Sequence, residues 1–290
     1  MFLQYEMGDP SLQKTILLPK TKQALGMPFT VTAMGDFTCD EKYYTKRQGD
    51  AECLLIYTVE GEGEGIVEYK GKRMTLTSGQ VMVLDCREYH YYASNSFQWK
   101  FLWMHFSGRC VFDYVGMLNE NSSPVFYTRG KISIHGYYEK IALYASEFDL
   151  KRELEISVLV HELLTLLINL KRTEQFSTKY GRYQKELESS INYMQEYFYE
   201  NISVAQLAKG CHLSKSYYIK VFKAYTGQTP YDYLLNLRLQ HSKLSLIESV
   251  KNIEEIAHES GFAESKNFIA AFKLKIGMTP LQFRKQNQVR

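Results

Sequence analysis

No stretch of the 290-residue chain holds an uninterrupted apolar run near the roughly 18–20 residues that span a bilayer, which excludes helical membrane spans. Residues 1–20 are mixed, carry Glu6 and Asp9, and lack the basic, apolar and small-residue regions of a secretory leader. Cysteine is sparse: Cys39, Cys53, Cys86, Cys110 and Cys211 are odd in number, widely spaced and form no CxxC pair. That argues against a disulfide framework or a structural zinc site and for a reducing cytoplasm, with all five expected as buried or incidental thiols. A GxSxG nucleophile pattern and a P-loop are both missing. What remains is the composition of a folded protein, 45% hydrophobic and 23% charged, which excludes a disordered, collagen-like or low-complexity chain. At about 150 residues per domain, the length suggests two domains.

The net charge of +3 conceals an asymmetry. Residues 201–290 hold 13 Lys and Arg against 6 Asp and Glu, a net +7, and residues 1–200 are net −4. A basic C-terminal segment on an acidic remainder suggests a module that binds a polyanion.

Residues 28–107 read as short strands. Leu54-Leu55-Ile56-Tyr57-Thr58-Val59 is a β-rich run closed by alternating Glu and Gly. Ile66 to Tyr69 follows, then a Lys70-Gly71-Lys72 turn, Met74 to Thr77, a Ser78-Gly79 turn, Val81 to Leu84, and the aromatic stretch from Trp99 to Phe106. Turn signals at this spacing predict a β-sandwich or barrel. From residue 137 to 172 the period turns helical, with Ile156, Leu159, Val160, Leu163, Leu164 and Leu167 on one stripe. Leu154, Val158 and Ile168 fall on the other side, so this helix needs a second partner besides its own domain. Residues 172–183 are polar and aperiodic and read as a linker.

Beyond residue 184 the chain repeats itself. Ser203-Val-Ala-Gln-Leu-Ala-Lys-Gly-Cys-His-Leu213 matches Asn252-Ile-Glu-Glu-Ile-Ala-His-Glu-Ser-Gly-Phe262, each opening on an N-cap residue. Tyr218-x3-Phe222-Lys223-x3-Gly227-x-Thr229-Pro230 matches Phe268-x3-Phe272-Lys273-x3-Gly277-x-Thr279-Pro280. The offset grows from 49 to 50 across the turn, so the second turn carries one extra residue. Each unit reads as helix, tight turn, helix. In the second helix of the first unit, Tyr218, Val221 and Phe222 can face the core while Ser216, Lys220 and Lys223 share the other face. Such a basic helix face suits a DNA major groove. Two such units in tandem argue against a plain bundle with solvated lysines.

These motifs resemble the DNA-binding domain of the AraC/XylS family of bacterial transcription regulators, over about residues 184–286. The resemblance includes Leu213-Ser-x-Ser-Tyr-Tyr-x3-Phe-Lys, Thr229-Pro-x2-Tyr-Leu-x3-Arg238-Leu, Ile253-x2-Ile-Ala-x3-Gly261-Phe and Phe268-x3-Phe-Lys-x3-Gly-x-Thr-Pro-x2-Phe-Arg284. It implies seven helices, two helix-turn-helix subdomains joined by a long helix at about 230–247, and recognition helices at about 215–225 and 264–275. Carried over, the DNA-facing residues are Ser216, Tyr217, Ile219 and Lys220 in the first, with Lys215 and Lys223 near its ends. In the second they are Ser265, Lys266, Asn267 and Ala270, with Lys273 near its end. Ala270 departs from the Arg common there.

The β-rich half resembles the cupin-type sugar-sensing domain of many members of that family. The matching residues are Leu54-Leu-Ile-Tyr-Thr-Val-x-Gly-x-Gly, Gly79-x5-Asp85-x4-His90-x-Tyr92, and Trp99-x3-Trp103-x-His105-Phe-Ser-Gly108. By position Arg47, Tyr92 and Trp103 correspond to sugar-pocket residues of the arabinose-binding member, and His90 and Trp99 are further candidates. His105 is expected to face outward or cap a strand end. A cupin metal would need several imidazoles and a carboxylate converging from two strands. After Gly61 there is no His-x-His, only Glu62, Glu64 and Glu68, and His90 stands nearly alone.

The expectation is therefore a two-domain α+β protein: a cupin-like β-barrel with dimerisation helices (1–172), a linker (173–183), and an all-α domain with two helix-turn-helix subdomains (184–290). No catalytic residue, metal or cofactor is expected. The two-sided apolar helix predicts a homodimer through the helices at about 137–172, and the cysteine usage a cytoplasmic protein. The resemblance implies double-stranded DNA, a small-molecule effector (a mono- or oligosaccharide) and RNA polymerase as partners, with activation favoured. The competing reading is a cupin-type metal-dependent enzyme or a sugar-binding protein with an incidental helical domain.

Overall fold

The computed structural model describes residues 2–287 other than 20, 60, 121 and 146–148. The chain divides into two compact units, Met1–Thr173 and Glu174–Arg290.

The first unit is built on two antiparallel sheets. One has the order β1 (Phe2–Glu6), β4 (Tyr44–Gln48), β9 (His90–Ser94), β6 (Gly65–Tyr69), β7 (Lys72–Leu76). The other has the order β11 (Val125–Tyr127), β8 (Gln80–Asp85), β5 (Cys53–Thr58), β10 (Trp99–Ser107), β3 (Thr30–Cys39), β2 (Gln13–Leu17). The period-2 alternation of β10 explains the layering. Trp99, Phe101 and Trp103 join Leu54, Ile56, Val67, Met82 and Leu84 in a core between the sheets. Met104 and Phe106 join Leu55, Val81 and Val83 in a second core on the other side of the larger sheet.

Helices α1 (Val111–Asn119), α2 (Ile134–Tyr144) and α3 (Leu150–Tyr180) cover that second core. In α3, Ile156, Val160, Leu163, Leu164 and Leu167 are buried, as their spacing predicts. Leu154 and Val158 stay 49% and 61% exposed. Ile168 departs from the expected two-sided pattern: it is buried in the same core, because the apolar arc there is wide enough to take it in. The start of α3 is pinned by side chains that reach the segment after β2. Glu153 accepts from the Thr21 backbone N–H and hydroxyl, and Arg152 donates to the Pro19 carbonyl.

The stretch expected as an aperiodic linker is helical. α3 continues to Tyr180, and a single 3-10 turn, Gly181–Tyr183, leads into α4 (Gln184–Glu196). Its polarity hides an i, i+4 aromatic pair, Phe176 and Tyr180, that packs into the core of the second unit.

The second unit holds seven helices among its described residues: α4, α5 (Val204–Gly210), α6 (Lys215–Thr226), α7 (Pro230–Glu248), α8 (Ile253–Glu259), α9 (Ser265–Ile276) and α10 (Pro280–Asn287). α4 to α6 surround one core centred on Leu187, Leu207, Tyr218 and Phe222. α8 to α10 surround another centred on Ile256, Phe268 and Phe272. The joining helix α7 contributes Leu234 to the first and Leu239 and Leu246 to the second.

Candidate nucleic-acid interface and effector pocket

The internal repeat folds as two matching helix-turn-helix units. Ser203 and Gln206 form a reciprocal capping box at α5, and Asn252 and Glu255 form the same device at α8. Four residues separate α5 from α6, and five separate α8 from α9, which accounts for the extra residue in the second repeat. His212 (φ 56°) and Gly261 (φ 83°), at the offset of 49, both take the left-handed conformation that turns the chain. Gly261 needs more than its backbone freedom. A Cβ there would lie 2.6 Å from the Phe198 carbonyl oxygen and 2.8 Å from Arg238 Nε. Arg238 is itself a clamp, donating to the Phe198 and Glu200 carbonyls. Arg284 repeats this in the second unit on the Leu246 and Lys251 carbonyls. Both arginines of the family motif are thus structural.

On α6 the buried side is Tyr218, Val221 and Phe222, while Lys215, Ser216, Lys220 and Lys223 are exposed. Ile219 is half-buried. Tyr217, expected to face DNA, is half-buried and meets the rings of Tyr180 and Tyr183 edge-on, at centroid distances of 6.3 and 5.8 Å. Its position on the helix wheel matches the DNA face, but the aromatic end of α3 and the following turn occupy its ring. On α9, Phe268 and Phe272 are buried and Lys266, Asn267, Ala270 and Lys273 are exposed, with Ser265 half-buried. Lys266 Nζ lies 2.8 Å from Glu264 at the helix N-cap, so one cation of this helix is already paired in the free protein.

In the first unit, β4, β9 and β10 bring Arg47, His90, Tyr92, Trp103 and His105 together between the sheets. Arg47 Nη2 is 2.6 Å from the Asp50 carboxylate, and Nη1 donates to His105 Nε2 at 2.7 Å. His105, expected to point outward, is buried, with Glu52 3.7 Å from its Nδ1. The alternation of β10 puts it on the same face as Trp103, two residues before it, and that parity was the signal that could have placed it. Burial, reinforced by Arg47, pushes its pKa down to about 3. His90 is also lowered, chiefly by burial. Burial likewise raises the Tyr92 phenol, whose ring runs parallel to that of His90.

The tautomers follow from the partners. A guanidinium only donates, so His105 Nε2 accepts and its proton sits on Nδ1. A carbonyl only accepts, so His90 donates from Nδ1 to Glu88 and leaves Nε2 as a bare acceptor. Four buried polar atoms without a hydrogen-bond partner gather on these residues: Arg47 Nε, His90 Nε2, Trp103 Nε1 and His105 Nδ1. Unsatisfied groups of this kind are costly, so a polar partner reaching them would be stabilising.

Trp103 lies across Gly35 of the neighbouring strand and keeps part of its surface exposed. Trp99, by contrast, is fully buried. Its indole N–H donates to the Thr58 hydroxyl, and its ring stacks on Phe101 with centroids 4.1 Å apart and packs over Gly65. It is a core residue whose one polar atom already has its partner. Among the described residues no group of three or more His, Cys, Asp or Glu side chains is arranged to hold a metal ion. Among the described residues, too, no helix is long and apolar enough to cross a membrane.

Two helix-turn-helix units on a shared helix, joined to a sheet domain that gathers unsatisfied polar groups, define a ligand-responsive DNA-binding transcription regulator. The family models agree. An AraC-like ligand binding domain matches residues 35–179, half of the chain, and a helix-turn-helix domain matches residues 207–286. The chain belongs to the AraC family of transcription regulators, and the relatives that it matches over most of their length carry the names of regulators, not of enzymes. It is similar to the lactose operon transcription activator of Staphylococcus xylosus, with 24% identity over 73% of this chain and 78% of that one. It is also similar to the raffinose operon transcriptional regulatory protein of Pediococcus pentosaceus, with 26% identity over 88% and 93%. Among solved structures, an AraC-type regulator from Chromobacterium violaceum aligns over 36% of this chain and 93% of its own, with 27% identity and a TM-score of 0.33.

Proposed function

We propose that this regulator activates carbohydrate-utilisation genes when a mono- or oligosaccharide binds at Arg47, His90, Tyr92, Trp103 and His105. The observation that carries the reading is the set of four unpartnered atoms. Trp103 Nε1, Arg47 Nε and His105 Nδ1 offer donors, and His90 Nε2 offers an acceptor. A ligand that satisfies both kinds must donate and accept, as hydroxyl groups do. Of these five residues Arg47 is the one fixed cation; it pairs with Asp50, and Glu52 lies 3.7 Å from His105, so the group carries no net positive charge to attract an acid. Trp103 supplies a ring face for the apolar side of a sugar. The names of the lactose and raffinose operon regulators support the same ligand class.

In this reading the protein works in the cytoplasm as a homodimer. The exposed apolar row of Leu150, Leu154, Val158 and Leu166 on α3 is the contact between copies. The sheet unit and α3 form the effector and dimerisation domain, and residues from 184 onward bind DNA. α6 and α9 enter successive major grooves about 34 Å apart, and RNA polymerase is recruited to the promoter so marked. A thermal-shift screen of neutral sugars against sugar acids tests the ligand class, since a ligand that binds the native state raises the melting temperature. A neutral sugar should raise it and strengthen or redirect operator binding in a gel-shift assay. Stabilisation by acids alone would overturn the assignment.

A further inference from the structure

The second unit contains a cavity that neither DNA binding nor the sugar reading uses. It has a volume of about 460 Å³ and lies between α4 and α5, within the range of small-molecule sites. Leu207, Ser190 and the Cys211 thiol, all buried, supply its closed side, and Tyr193 on α4 adds a half-exposed aromatic ring. Cys211 donates to the Glu186 carbonyl, and burial raises its pKa, so the thiol is a neutral, mostly apolar surface. Ser190 Oγ is 2.6 Å from the Tyr218 hydroxyl of α6, so the cavity backs onto the buried side of the first recognition helix.

Two charges of opposite sign line this space, Lys185 and Glu186. Adjacent helix residues point about 100° apart and do not neutralise each other well. The Glu186 Oε2 atom is buried and has no hydrogen-bond partner, so it lacks the donor that a buried carboxylate oxygen requires. Gly210, at the end of α5, leaves the other wall open: a Cβ there would meet no atom within 4 Å.

We propose that the groove between α4 and α5 is a second small-molecule site, one that takes a zwitterionic amino acid with an apolar side chain. The ammonium group donates to Glu186, the carboxylate meets Lys185, and the side chain lies on Leu207, Cys211 and the ring of Tyr193. The site is independent of the sugar pocket, because every residue it uses belongs to the DNA-binding unit.

The test is saturation-transfer NMR and calorimetry on the full chain, with L-phenylalanine as the probe. Phenethylamine and 3-phenylpropionate, each lacking one of the two charges, serve as controls. L-phenylalanine should bind saturably with a Kd of about 1 mM or tighter, ordinary for a ligand of about twelve non-hydrogen atoms. Both controls should bind at least about tenfold more weakly, since each gives up a charge-assisted contact. Glu186→Gln keeps the shape and removes the charge, and should weaken binding by about tenfold. Gly210→Leu fills the groove and should abolish it. Both variants should melt cooperatively and retain operator binding, which separates loss of this site from loss of the fold. Three results would overturn the proposal: no saturable binding up to about 20 mM, an affinity that neither variant alters, or a control that binds as tightly as the amino acid.

Discussion

Replacing Gly35 with alanine tests how the effector pocket is assembled. Gly35 of β3 stands opposite Trp103 of β10. An alanine Cβ at this position would lie 2.4 Å from the indole Nε1, 2.6 Å from Cε2 and 2.8 Å from the Lys14 carbonyl oxygen. Lys14 belongs to β2, which five register pairs hold against β3, so the indole is the group that must move. Overpacking of this kind costs about 1–3 kcal/mol, and the lower chain entropy of unfolded alanine returns less than about 1. A net loss of about 1–2 kcal/mol should lower the melting temperature of a unit this size by about 3–6 °C. Because the displaced ring is also the proposed sugar platform, effector affinity should drop by about tenfold or more, measured by calorimetry with the best sugar from the screen. Ligand-free operator binding should not change. In a Trp103→Ala background the alanine at 35 meets only the Lys14 carbonyl and no indole, so a double-mutant cycle should give a coupling of about 1 kcal/mol or more. A Gly35→Ala protein that melts higher and binds its sugar normally would refute this placement of Trp103.

Val158→Glu puts a charge into the exposed apolar row of α3 and should give a folded, ligand-competent monomer by sedimentation; an intact chain already monomeric at about micromolar concentration would end the dimer proposal. His105 is held to about 3 by burial and by Arg47, against about 6.5 in an unfolded chain. The unfolded chain therefore binds the proton first. The stability that His105 contributes is complete above about pH 6.5 and is lost as pH falls toward about 3, reaching about 2 kcal/mol by pH 5. Melting curves should show that decline, and His105→Gln should flatten it. Lys220→Ala should cost about 1–3 kcal/mol on the cognate site and relax preference at one or two base pairs. Lys266→Ala, which removes a cation partly committed to Glu264, should weaken all sequences alike.

The C-terminal unit was legible in the sequence because its determinants are local. Caps, the apolar positions of short helices and the one-residue difference between the turns all appear in consecutive residues, and the structure places each of them. The sheet unit was legible only in part. Its central strands are long apolar runs bounded by turns. The edge strands β1 and β2 are largely exposed, however, and lack the alternation that marks a half-buried strand. His105 was misplaced because a histidine in an aromatic strand gives no composition signal, and only its parity with Trp103 fixes its direction. Trp99 and Trp103 share that parity yet differ in fate. Trp99 finds the Thr58 hydroxyl and Gly65 around it, which pairing across strands decides and a linear reading does not contain. Tyr217 shows the same limit on the helical side: the wheel gives its face, but not the tyrosines 37 and 34 residues earlier that cover it.

Selection of bound fragments from randomised duplex DNA, with the full-length chain at fixed salt, tests the central claim most directly. Two preferred segments should emerge about one helical turn apart on the same face. The segment read by α6 should be the sharper, because Lys220 can reach a guanine edge while Ala270 can touch at most a thymine methyl. Enrichment of a single short segment, of two equally sharp ones, or of no sequence at all would contradict the assignment of unequal reading by two recognition helices.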